Sequence, residues 1–247
     1  MIVNNVWTVF LAALLTALAT GLGALPFFLV RQFSRRWLGL FNAIAAGLML
    51  GASLVLVQKG GEQDLRLLLF GMVVGVLAIT ALNRRLQHDK GLQITAVRES
   101  GGLKAFLIIG VMTLHSFAEG VGVGVAYGGG QSLGAFITAA IAIHNIPEGL
   151  AISLVLVPRG TSPGKAGLWS IFSSLPQPLM AVPAFLLVTA FQPFLPFGLG
   201  LAAGAMLWMV VAELIPDALQ DIPKEVVGLV VTLSLAAMLA FQALFQR

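Results

Sequence analysis

Of the chain's 247 residues, 58% are hydrophobic and only 10% charged, and the mean hydropathy is +0.97. A soluble domain carries about 25% charged residues, so this composition excludes a water-covered globule and indicates an integral membrane protein. There is no cysteine, hence no disulfide, thiolate metal site or cysteine nucleophile. The net charge of +4 is no nucleic-acid signature, because most Lys and Arg fall in short polar gaps between apolar runs.

A membrane span needs about 20 apolar residues. Eight runs qualify: residues 6–30, 37–57, 65–83, 104–127, 132–157, 167–191, 195–219 and 223–245. The first lacks the basic flank of a signal peptide and exceeds the usual length of roughly 7–15 residues, so it is expected to stay as a span. The first gap holds Arg31, Arg35 and Arg36, and the third holds Arg84, Arg85, Lys90 and Arg98. Arg159 and Lys165 occupy the fifth and Lys224 the seventh, while the remaining gaps carry only Lys59 and Arg66. The positive-inside bias puts the odd gaps in the cytoplasm and both termini outside, in a multi-pass protein of the cell (inner) membrane. The gaps are too short for a soluble domain, so residues 1–247 are expected to form one transmembrane domain.

The fourth and fifth spans carry twin motifs, His115-Ser116-Phe117-Ala118-Glu119-Gly120 and His144-Asn145-Ile146-Pro147-Glu148-Gly149. Both read H-x-x-x-E-G, in a chain with three histidines and ten acidic residues. His and Glu four residues apart share one helix face, about 40° apart around the axis. A charge at the bilayer centre costs about 2.5–3.5 kcal/mol, and no Lys or Arg lies deep in a span to offset it. Protonation, a water-filled path or a bound cation remain as ways to settle the charge. A divalent ion among His115, Glu119, His144 and Glu148 would neutralise both carboxylates at once. Ser116 and Asn145 stand about 60° around the helix from their own Glu, on the side away from His. Each Glu could therefore bridge to a second, oxygen-only position, weaker for zinc. Pro147 cannot donate its backbone hydrogen bond and is expected to kink the fifth span. Gly120, Gly124 and Gly128 form a ridge that reads as helix packing.

The sixth span is interrupted at Ser173-Ser174-Leu175-Pro176-Gln177-Pro178, where Gln177 could offer a carbonyl to a metal. In the seventh, Glu213 and Asp217 share a face near the expected cytoplasmic end and suit a cation exit path. Residues 202–207 (AAGAML) also echo residues 45–50 (AAGLML) in the second span. The fold class expected is therefore an all-α integral membrane protein of eight transmembrane helices. Spans 1–3 and 6–8 would form an inverted repeat around the central pair 4 and 5, a recurrent transporter plan.

The His144 to Gly149 motif, its sister at His115, and Glu213-Leu214-Ile215-Pro216-Asp217 resemble the ZIP (ZRT/IRT-like) divalent-metal transporters, closest to the bacterial GufA-like branch. The resemblance covers the whole chain. It implies no cofactor, with zinc first, or iron, manganese or cadmium, as transported substrate. By motif position, His115, Glu119, His144 and Glu148 match the primary site. Ser116 and Asn145 match a second one, and Gln177 and Glu213 are accessory or pathway positions. It further implies movement toward the cytoplasm and a homodimer, with the lipid bilayer and divalent ions as partners. Departures from the pattern are Ser116 for the usual Asn and Gln177 for the branch's Glu. Leu56 and Gln58 also stand where span two often ends in an acidic residue, and a cytoplasmic His-rich loop is reduced to His88. Together they favour one strong metal position over two equal ones. Two other readings remain at this stage: an intramembrane metal-dependent hydrolase, and a family member that binds metal without moving it.

Overall fold

A computed structural model describes residues 2–30, 34–88 and 102–245, and the described residues are almost all helical. In chain order the helices are α1 (Ile2–Leu22), α2 (Arg35–Gly61), α3 (Leu65–His88), α4 (Gly102–Gly128), α5 (Gln131–Leu156), α6 (Pro163–Ser174), α7 (Pro176–Ala190), α8 (Leu195–Met209), α9 (Ile215–Asp221) and α10 (Lys224–Phe245). Six stretches are long and apolar enough to cross a membrane, from Asn5–Phe28 to Lys224–Leu244. The third expected span is a shorter apolar helix, Leu65–Ala81, and the fourth falls within the 27 residues of α4. The described residues thus support six to eight spans. Arg31, Lys90 and Arg98, which weigh in the topology expectation, lie outside them.

Local chemistry explains where the helices begin and break. Asp64 Oδ1 accepts the backbone N–H groups of Arg66 (2.9 Å) and Leu67 (3.0 Å), capping α3. The sixth span is two helices because Pro176 has no N–H to continue α6, and it opens α7 instead. In the seventh, Pro216 cannot bond to the Ala212 carbonyl. The ladder slips to a π turn over Val210–Leu214, with Ile215 N–H bonded to Val210 O, before α9 resumes. By contrast, α5 runs unbroken through Pro147.

The helices are packed inside out relative to a soluble protein. On α1, Trp7, Leu11, Leu15, Leu18 and Leu22 are exposed, while Ala13, Thr16, Ala17 and Thr20 are buried. Large apolar side chains face where lipid would lie, and small ones let helices approach.

The AAGLML/AAGAML echo sits at the centre of this packing. Ala45, Ala46 and Met49 of α2 and Ala202, Ala203 and Met206 of α8 are all buried in one cluster. Gly47 and Gly204 hold equivalent places in the echo. Each allows a partner backbone close: a Cβ would strike Val231 O of α10 at Gly47, and Met72 O of α3 at Gly204. Helix neighbours follow the same exchange. α3 packs on α8 as α10 packs on α2, α4 on α7 as α5 on α1, and α2 on α5 as α8 on α4. Swapping spans 1–3 with 6–8, and 4 with 5, maps each pair onto its counterpart.

The central pair is a helical hairpin. α4 ends at Gly128 and α5 begins at Gln131, and the joint passes through Gly130 at φ 130°, a conformation glycine adopts readily. His115 lies 14 residues before Gly129, and His144 lies 14 residues after Gly130. The hairpin therefore brings the two imidazoles to the same depth, in the middle of their helices.

Candidate metal centre

His115, Ser116, Glu119, His144, Asn145, Glu148 and Gln177 are all buried, so the expected polar constellation sits in the protein interior. Three of its members form a tight group. One ligand atom each from Glu119, His144 and Glu148 lie within 4.8 Å of one another. The closest contact joins the two motifs: His144 Nε2 is 2.7 Å from Glu119 Oε1. Glu148 Oε1 and His144 Nδ1 have no hydrogen-bond partner among the described residues. Buried polar atoms are normally satisfied, and an imidazole nitrogen with two carboxylates is a donor set that suits zinc and its divalent neighbours.

His115 is not part of that tight group and pairs instead with a carboxylate of span seven. Its Nδ1 is 3.6 Å from Glu213 Oε2, and Glu213 Oε1 accepts a hydrogen bond from Asn83 Nδ2 at 2.9 Å. The π turn holds Glu213. His115, one turn before Glu119 on α4, thus contacts the partly buried Glu213 of span seven. Asp217, one turn further along α9, accepts from Gln220 at the surface (3.3 Å).

The Gln177 carbonyl has protein partners: Oε1 accepts from the Thr16 hydroxyl at 2.5 Å and from Asn145 Nδ2 at 3.4 Å. Its amide Nε2 donates to Glu119 Oε2. Asn145 Nδ2 also donates to Thr16 O at 2.9 Å, and Asn145 Oδ1 has no partner among the described residues. Ser116 is buried on α4. Gln58, one of the departures in span two, bonds Glu62 Oε1 at 3.1 Å near the end of α2, away from this network.

Three contributors were not singled out from sequence. Thr16 anchors Gln177, Thr20 meets Ser174 at 2.9 Å, and Asn83 holds Glu213. Thr16 and Thr20 stand four apart in a mostly apolar run, and Asn83 is a buried amide near the end of another. Those are the signals that could have found them.

The glycine ridge does the packing work read from sequence. A Cβ at Gly120 would strike the Gln177 backbone, and one at Gly124 the Ala181 backbone. Gly149, the counterpart of Gly120, meets the Thr20 backbone. Gln177 and Thr20 stand 157 positions apart, as do Gly204 and Gly47. The motif glycines thus report the same repeat as the alanine-rich echo.

An all-helical membrane protein with an internal repeat, whose central hairpin buries two carboxylates and an imidazole within ligand distance, has the frame of a cation carrier. The family model described as "ZIP Zinc transporter" matches residues 81–242. A protein of Arabidopsis thaliana named as a candidate zinc transporter is 48% identical over 245 residues, covering 98% of this chain and 39% of the relative. "Zinc transporter GufA" of Myxococcus xanthus is 33% identical over 223 residues, covering 84% of this chain and 87% of the relative. "Zinc transporter ZIPB" of Bordetella bronchiseptica is 32% identical, covering 81% and 69%. The chain belongs to the ZIP family. It spans well under half the length of the Arabidopsis relative.

Proposed function

We propose that this chain carries divalent metal cations, zinc first, across the cell (inner) membrane toward the cytoplasm. The observation that carries the reading is the buried group of Glu119, His144 and Glu148, with ligand atoms within 4.8 Å and, among the described residues, no Lys or Arg in an ion pair with it. A divalent cation balances both carboxylates, and the imidazole favours zinc over hard ions. The names of the relatives point the same way.

In this reading Glu119, His144 and Glu148 receive the dehydrated cation. His115 completes the primary site or hands the ion on to Glu213, because it shares α4 with Glu119 one turn away and its Nδ1 is 3.6 Å from Glu213 Oε2. Asn83 orients Glu213. Binding requires deprotonated ligands, so proton return to His or Glu aids release. Residues 1–247 act as one transport domain, with both termini outside. The homodimer follows from family likeness. A hydrolase is not favoured, since the relatives are named transporters and no carboxylate in the group is left over as a general base.

The test is zinc uptake by proteoliposomes of the purified chain. Replacing His144→Ala together with Glu148→Ala should reduce uptake to that of empty vesicles. Uptake at the unmodified rate would refute the site.

A further inference from the structure

We infer that the pocket holds one divalent cation rather than two, and that Gln177 is the positioning residue that closes the second position. The inference rests on the proposed carrier function and concerns the stoichiometry of the same site.

Hydrogen-bond chemistry orients the amides. The Thr16 backbone oxygen can only accept, so the group Asn145 turns to it at 2.9 Å is its NH2. An ionised Glu119 also only accepts, so the group Gln177 turns to it is again an NH2. The chain Asn145 → Gln177 → Glu119 therefore runs one way, pinned by pure acceptors at both ends and steadied by the Thr16 hydroxyl on Gln177 Oε1. Both Glu119 oxygens are then committed on opposite flanks, Oε1 to His144 and Oε2 to Gln177. The second flank is where a cation bridged through Glu119 toward Asn145 would sit. It meets the Gln177 N–H group on Glu119 there, and Asn145 Oδ1 is the one oxygen of the two amides left without a partner among the described residues, too few ligands for a second cation.

Charge counting leads to the same result. One divalent cation neutralises Glu119 and Glu148, whereas two would leave an uncompensated double positive charge in a buried site, which is strongly disfavoured. The repeat shows that the clamp is one-sided. Thr20, the counterpart of Gln177, pairs with Ser174, and Glu148 Oε1 keeps no partner among the described residues. Glu119 is thus the ligand the fold holds in place, and Glu148 is the ligand that keeps an unpartnered oxygen for the cation.

The experiment is equilibrium dialysis of the full chain in detergent micelles against zinc, with protein and metal quantified together. The wild-type chain should saturate at one equivalent. Gln177→Glu supplies a carboxylate on the blocked flank and should raise saturation to two, the second site weaker by at least about tenfold. Gln177→Leu, which removes the donor without adding a ligand, should stay at one equivalent with several-fold weaker affinity. Two equivalents on the wild-type chain overturn the inference and leave the carrier function standing. So does a folded Gln177→Glu chain that still stops at one. No zinc bound by the wild-type chain would instead overturn the carrier reading.

Discussion

His144 Nε2 lies 2.7 Å from Glu119 Oε1, so the imidazole of the second motif is paired with the carboxylate of the first. Within each motif, His and Glu share a helix face, yet the closest contact crosses between helices. The candidate metal centre is thereby a property of the α4–α5 hairpin, and neither helix supplies it alone. It follows that Glu119→Gln, which keeps the shape and removes the charge, should weaken zinc binding. Hydrogen bonds and contacts to a charged group contribute about 1.5–3 kcal/mol, or roughly 10-fold to 100-fold in affinity. Zinc titration of the purified variant reads this directly, and an unchanged affinity would remove Glu119 from the site.

Glu213 is the next carboxylate in the proposed path, and Asn83 is its hydrogen-bond donor. Asn83→Ala should slow zinc flux several-fold in proteoliposomes while equilibrium binding at the Glu119 group stays the same. A matching loss of both would mean that Asn83 supports the fold and has no part in the pathway.

The donor set predicts selectivity. With imidazole and carboxylate ligands, cadmium, manganese and ferrous iron should compete with zinc for uptake, and magnesium should not at a tenfold excess. Competition by magnesium would indicate a hydrated, oxygen-only path instead.

Gly149 allows α1 and α5 into backbone contact, and a Cβ there would meet Thr20 O. Gly149→Ala should cost about 1–3 kcal/mol through overpacking, seen as a lower melting temperature in detergent. Gly164 has open space around its Cβ position. Gly164→Ala should lie within about 0.5 kcal/mol of the parent. Equal shifts for the two variants would contradict the close approach at Gly149.

The sequence by itself determined the membrane class, the all-helical build, the repeat and the identities of the buried polar residues of the candidate site. Each is written in local statistics: apolar runs of span length, His and Glu at i,i+4, and the echo of residues 45–50 in 202–207. Burying an ionisable group in a span is costly enough that its presence alone signals a site. The break at Pro176 and the packing role of Gly120 and Gly124 were legible for the same reason, because proline and glycine act through their own covalent structure. Only the tertiary structure decided which atoms pair. Spacing along one helix could not show that Glu119 meets His144, that His115 turns to Glu213, or that Thr16 claims the Gln177 carbonyl. Those pairings depend on how α1, α3, α4, α5, α7 and the π turn after α8 are rotated and set in depth against one another. That geometry is fixed by small-residue contacts far apart in sequence, such as Gly120 on Gln177 and Gly149 on Thr20.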